Sequence, residues 1–195
     1  HTSGVPTLRA MLLEFPDDLA CDTLDRQYML GDALLVAPVF RHDNVVDYYL
    51  PNGRWTHYLT GEVREGGRWQ RESYDFLSLP LWVRPNAIIP VGSNENRPDY
   101  DFAAGVTFHL FELDEGTAVS RTVPNLQGET ELTMQAHRDG NRLHLEVVGA
   151  TKPWSVLLRG IEEVTAVTGD TAVANDQGVL LQPDKNTTQL TVQLS

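Results

Sequence analysis

Apolar and polar positions alternate most cleanly in the second half of the chain. Leu132, Met134 and Ala136 alternate with Glu131, Thr133 and Gln135. Leu143, Leu145 and Val147 alternate with Arg142, His144 and Glu146, and Leu190, Val192 and Leu194 with Gln189, Thr191 and Gln193. A period of two sends successive side chains to opposite faces of a strand, so each run buries one face and wets the other, the signature of antiparallel sheets in a sandwich. Arg138-Asp139-Gly140-Asn141 lies between two of these runs and predicts a hairpin turn.

The first half predicts shorter strands. Val45 to Leu50, the turn Pro51-Asn52-Gly53, and Arg54 to Leu59 predict a hairpin. Thr60-Gly61 and Gly66-Gly67 are further turn signals. Leu79 to Pro85 and Ala87 to Pro90 predict short strands whose prolines belong at sheet edges or strand ends. The polar, turn-rich stretch 92–99 predicts a domain boundary. Residues 1–30 differ in character. Val5 to Phe15 is an apolar segment bounded by Gly4 and Pro16, either strand or short helix, with Pro6 and the short length favouring strand. Pro16-Asp17-Asp18 follows as a turn. Asp22 or Thr23 caps a predicted short helix through Tyr28, with Gly31 as its C′ residue. The apolar run Ala33 to Val39 then enters a buried strand.

Composition narrows the function classes. The 195 residues suffice for one large domain or two small ones, and the net charge of −12 repels phosphate backbones and anionic lipid surfaces. Neither nucleic acid nor membrane is therefore an expected partner, whereas neutral substrates such as sugars fit. The single cysteine, Cys21, rules out an intramolecular disulfide and fits a reducing, cytoplasmic compartment. No apolar run approaches the length of a bilayer span. The start His1-Thr2-Ser3-Gly4 has no initiator Met and shows no signal-peptide pattern, as expected of a processed or truncated chain.

Candidate chemistry is sparse. Asp17 and Asp18 are adjacent, so in extended chain their side chains diverge, and they read as turn residues. Asp22 and Asp25 fall near a helix N-terminus, where negative charge is favourable without any catalytic role. His1, His42, His57, His109, His137 and His144 show no zinc-ligand spacing, and no metal site is expected. No nucleophile elbow, phosphate loop or dinucleotide fingerprint occurs, so no catalytic residue and no cofactor site is assigned. Tyr48, Tyr49, Trp55, Tyr58, Trp69, Tyr74 and Trp82 cluster in the first β region. They read either as core residues or as a stacking platform for sugar rings.

Several runs carry a family resemblance. Arg9 to Asp18, Asp25-Arg26-Gln27-Tyr28-Met29-Leu30-Gly31-Asp32, Leu34 to Val39, Tyr49-Leu50-Pro51 with Gly53 and Trp55, and Leu79-Pro80 with Val83-Arg84 together resemble glycoside hydrolase family 31. Asp25 to Tyr28, Asn96 to Tyr100 and Phe108 to Phe111 most resemble its bacterial α-xylosidase branch. The resemblance implies a mainly β fold. It places the last strand and helix of a (β/α)8 barrel in residues 1–30, a proximal C-terminal β-sandwich in 31–92 and a distal one in 93–195. A whole barrel takes about 250 residues and does not fit in this chain. The resemblance also implies retaining hydrolysis of α-linked sugars by two aspartates upstream of the matched region, their carboxyl groups about 5–5.5 Å apart. Asp75-Phe76 and Asp101-Phe102 are followed by Leu77 and Ala103, not by the Gly-Glu of the nucleophile motif, so no catalytic role passes to them. The expected partners are α-linked xylosyl or glucosyl saccharides, met through the full-length enzyme, with homo-oligomerisation of that enzyme. A stand-alone carbohydrate-binding sandwich is the alternative.

Overall fold

The computed structural model describes residues 4–149, 152–168, 170–184 and 186–195. The chain divides into two units, His1–Pro85 and Asn86–Ser195. Each has a hydrophobic core drawn from its own residues.

In the first unit the elements are β1 (Leu8–Arg9), α1 (Met11–Glu14), a 3-10 turn (Leu19–Cys21), β2 (Tyr28–Leu30), β3 (Leu34–Val36), β4 (Val45–Leu50), β5 (Arg54–His57), β6 (Val63–Glu65), β7 (Arg68–Ser73) and β8 (Leu81–Val83). One sheet has the order β1-β2-β3-β8-β5-β6, and β4 and β7 form a separate ribbon. Met11, Met29, Leu35, Tyr48, Leu50, Trp55 and Trp82 are fully buried between these layers.

Three expectations are corrected here. Val5 to Phe15 is neither one strand nor one helix, because two residues of strand are followed by a single helical turn. The predicted helix through Tyr28 is absent. Its nearest equivalent is the 3-10 turn, capped by Asp18, whose Oδ1 accepts the Ala20 N–H at 3.1 Å. Tyr28 instead starts a strand, and Gly31, at φ +64°, occupies the turn of the β2–β3 hairpin. Gly31 thus supplies the left-handed backbone that a helix C′ position also needs, which is why both readings were open to it. Finally, β4 and β5 do not pair across Pro51-Asn52-Gly53. β4 pairs with β7, and β5 pairs with β6 and β8. The turn hands the chain from ribbon to sheet, and the Gly66-Gly67 corner docks into it. Gly67 N–H donates to the Leu50 carbonyl and Gly66 N–H to the Gly53 carbonyl, each at 2.7 Å.

The second unit contains β9 (Ala87–Val91), β10 (Val106–Phe111), β11 (Ala118–Pro124), β12 (Thr130–Asp139), β13 (Arg142–Gly149), β14 (Trp154–Arg159), β15 (Val164–Thr168), β16 (Asp170–Asn175), β17 (Gly178–Pro183) and β18 (Gln189–Leu194). Two five-stranded sheets, β16-β17-β14-β10-β9 and β11-β12-β13-β18-β15, face one another as a sandwich. Phe108, Leu110, Val156, Leu158 and Leu181 from one sheet pack with Leu132, Met134, Leu143, Leu145, Leu190 and Val192 from the other. These are the inward members of the alternating runs, and β12 and β13 form the expected hairpin around Gly140-Asn141. β9 contains Pro90 and is an edge strand, as its proline requires. The stretch 92–99 lies between β9 and β10, which pair with each other inside this unit. β10 and β14 run parallel, the chain having crossed to the other sheet between them.

Candidate functional site

The acidic segment after α1 borders an open depression of about 530 Å³, lined by Glu14 to Leu19 with Pro51 and Asn52. Its carboxylates are largely engaged. Glu14 accepts from Arg9 at 2.5 Å through one oxygen and from Arg84 at 3.1 Å through the other. Arg84 also donates to the Asp32 carbonyl at 3.0 Å, so this cluster ties α1 to the β2–β3 turn and to the end of β8. Asp18 caps the 3-10 turn with Oδ1 and accepts the Tyr49 hydroxyl at 3.0 Å with Oδ2. Both acids hold the backbone in place.

The aromatic cluster divides the same way. Tyr48, Trp55 and Trp82 are completely or almost completely buried, so they are core, while Trp69 is 57% exposed. Trp55 Nε1 donates to the Pro51 carbonyl at 2.8 Å, fixing the corner between β4 and β5. Around Trp82 is a polar network that no local pattern of residues predicts. Glu72 accepts from Tyr48 Oη at 2.5 Å, from Tyr74 Oη at 2.8 Å and from Arg64 at 2.7 Å. Arg64 also pairs with Glu62 at 2.6 Å and lies over the Trp82 ring. Burial pushes the Glu72 carboxyl up, but the hydrogen bonds from Tyr48, Tyr74 and Arg64 outweigh it and hold it below its ordinary value. Burial, then the bond to Glu72, raises the Tyr48 phenol, and burial is the main cause that pushes Tyr74 up to about 12. These groups stay in one charge state across the physiological range, which suits a brace between β4, β6 and β7.

His57 is buried against the edge of Trp82. Its Nδ1 accepts the Thr60 N–H at 3.3 Å and its Nε2 lies 3.1 Å from the Leu79 carbonyl, so the ring is neutral with the proton on Nε2. Burial lowers its pKa accordingly. Gln27 clamps the β4 backbone, donating to the Tyr49 carbonyl at 2.8 Å and accepting the Tyr49 N–H at 2.7 Å. In the second unit His109 is pushed down to about 4 by burial and then by the Arg159 guanidinium. His137 and His144 face outward from the hairpin β12–β13, and His42 is exposed. His1 lies outside the described residues. Among the described residues no group of three His, Cys, Asp or Glu side chains is placed to hold a metal ion, and no helix is long and apolar enough to cross a membrane.

Fold and sequence agree on the class of protein. Residues 4–89 match the glycosyl hydrolase family 31 C-terminal domain, and residues 101–194 match the C-terminal domain of the α-xylosidase YicI. The chain belongs to glycoside hydrolase family 31 and carries C-terminal domains of that family. It is 35% identical over 151 residues to the α-xylosidase XylQ of Lactiplantibacillus pentosus, an alignment that takes in 76% of this chain and 20% of that protein. It is 41% identical over 107 residues to an α-xylosidase of Emericella nidulans, covering 51% of this chain and 14% of the relative. Against α-glucosidase 2 of Bacillus thermoamyloliquefaciens the identity is 26% over 197 residues, with 94% of this chain and 24% of that protein covered. The chain thus spans a quarter or less of the length of these curated relatives. The same fold occurs in the cycloalternan-forming enzyme from Listeria monocytogenes, with a TM-score of 0.84 at 21% identity, over 99% of this chain and 21% of that one. It occurs again in the family 31 dextranase of Flavobacterium johnsoniae, with a TM-score of 0.80 at 19% identity, over 97% and 29% of the two chains.

Proposed function

We propose that this chain is the C-terminal β portion of a retaining α-glycosidase of the α-xylosidase or α-glucosidase type. In this reading the two catalytic aspartates lie upstream, and the chain braces the barrel that carries them. The observation that carries it is the ordered pair of domain matches, residues 4–89 and 101–194, in a chain that covers a fifth of the length of an α-xylosidase relative. The engagement of Glu14, Asp18 and Glu72 in structural bonds supports it, since a retaining pair needs one carboxylate free to attack and one free to donate a proton. Leu8, Leu12, Leu13 and Leu19 are exposed around α1, and in this reading they pack against the barrel. The substrates are α-linked xylosyl or glucosyl saccharides, met through the full-length enzyme, which works as a cytoplasmic homo-oligomer. A charge of −12 leaves nucleic acid out. The rival reading, a stand-alone sugar-binding module built on the tryptophans, loses its platform because Trp55 and Trp82 are buried.

The test is turnover of aryl α-xyloside and aryl α-glucoside. The purified 195-residue chain should show none, and a polypeptide joining it to a family 31 barrel should show retention of anomeric configuration by NMR. Turnover by the short chain would place the catalytic carboxylates inside it and end this reading.

A further inference from the structure

The outward face of the distal sandwich is a built surface. Strands β11, β12, β13 and β18 form a shallow trough of about 570 Å³ on the side away from the core. Register aligns two rows of side chains across it. One row is Ser120, Gln135, Glu146 and Gln189, and the other is Ala118, His137, His144 and Thr191. The rows contain no lysine or arginine, so nothing in them counters a phosphate or sulfate. They contain no large apolar side chain, so nothing in them anchors a hydrophobic peptide. The one carboxylate, Glu146, accepts from Gln189 Nε2 at 2.9 Å. What remains bonds in both directions: two amides, two hydroxyls and two imidazoles.

The histidine pair is the most specific part. The two rings face each other across β12 and β13, with centroids 6.4 Å apart and planes 19° from parallel. His137 Nδ1 lies 3.2 Å from the Thr117 carbonyl, which can only accept, so that nitrogen carries a proton, and when the ring holds one proton its Nε2 presents a lone pair. His144 Nδ1 lies 3.3 Å from Thr191 Oγ1. When that hydroxyl donates, His144 Nε2 carries a proton. Both Nε2 atoms are left to the solvent side, one acceptor beside one donor, flanked by the amides of Gln135 and Gln189. A ligand matching this set is uncharged and dense in hydroxyls, each able to donate and accept.

We propose that this trough is a non-catalytic binding site for neutral α-linked oligosaccharides, with His137 and His144 bonding sugar hydroxyls. The choice of α-linked chains rests on the function proposed above, whereas the fit to a neutral polyol rests on the trough alone. The test is imidazole ¹⁵N NMR of the 195-residue chain, titrated with isomaltotriose, maltotriose and, as a β-linked control, cellotriose. The expected result is a saturable shift of the His137 and His144 Nε2 signals by the α-linked sugars, with a Kd on the order of 1 mM. In a His137→Ala/His144→Ala variant of unchanged circular dichroism, calorimetric affinity should fall about tenfold or more, since each imidazole bond is worth about 1 kcal/mol. Gln135→Ala, a milder change on the same face, should weaken binding without removing it.

Three results would overturn the proposal: no saturable shift by any α-linked sugar at about ten times that Kd, binding of cellotriose alone, or protection of the two imidazoles by self-association in the absence of sugar. The turnover assay and this titration read different events, so the failure of one is visible without the failure of the other.

Discussion

Individual side chains in the first unit do structural work that their chemistry disguises. Trp55 and Trp69 are both tryptophans on strands of one small unit, yet Trp55 is 1% exposed and Trp69 57%. Trp55→Ala should cost about 3–5 kcal/mol in urea unfolding, while Trp69→Ala, which loses mainly its contact with Tyr49, should cost about 1 kcal/mol or less. Equal losses would contradict the difference in burial between the two rings. Glu72 is the second case. Glu72→Gln keeps an acceptor for the tyrosines but removes the charge facing Arg64, and should cost about 1–3 kcal/mol. Acid should weaken the fold by a route that can be assigned. The folded-state pKa values of Glu72, His57 and His109 lie below their ordinary ones. Each group therefore contributes stability that is complete above its unfolded value and is lost as the pH falls through the folded one. For His109 that loss runs from its ordinary 6.5 down to about 4. The urea midpoint should fall across this window, and His109→Gln should flatten its upper part. A midpoint that does not change between neutral pH and about pH 4.5 would contradict the assignment.

At the scale of elements, what the sequence revealed depended on where each strand finds its partner. The runs at Leu132, Leu143 and Leu190 were legible because each strand buries one face only, which writes period two into the chain. The β12–β13 hairpin was legible because its turn residues join strands that pair with each other. Pro51-Asn52-Gly53 has equally good turn chemistry, but it joins strands of different sheets, and nothing local to the turn encodes that. The decisive residue lies elsewhere. A Cβ on Gly66 would stand 1.8 Å from the Pro51 carbonyl oxygen, so only glycine lets the two corners dock. Gly66→Ala should therefore destabilise the first unit by more than about 2 kcal/mol, read as a fall in its melting temperature. Gly140→Ala meets no atom within 4 Å but sits at φ +56°, and should cost about 1 kcal/mol. The segment before β2 departs from its local pattern for a related reason: Gln27 and Asp18 organise it through contacts with Tyr49, more than twenty residues away in sequence. The candidate site was least legible of all, since the pairing of His137 with His144 exists only once the register of β12 and β13 is known.

For the whole molecule, two separate cores make a prediction about cooperativity. The two clusters of buried residues share no member and divide where the units divide. Residues 86–195 expressed alone should give a dispersed NMR spectrum and a single unfolding transition. Residues 1–85 alone should bind a hydrophobic dye through Leu8, Leu12, Leu13 and Leu19. A collapsed spectrum for the 86–195 fragment would show that the cores are not independent. The topology of the second unit also sets a schedule. β18, which follows the other four strands of its sheet in the chain, lies between β13 and β15, in the interior of that sheet. During translation the ribosome delivers β11, β12 and β13 long before the strand that closes them against β15. The distal sandwich therefore waits with an open slot, the edge of β13 beside Leu143 and Leu145 unpaired until Leu190 and Val192 arrive. A nascent chain stalled before residue 189 is a natural client for holding chaperones, while the first unit, complete by Pro85, can already be folded.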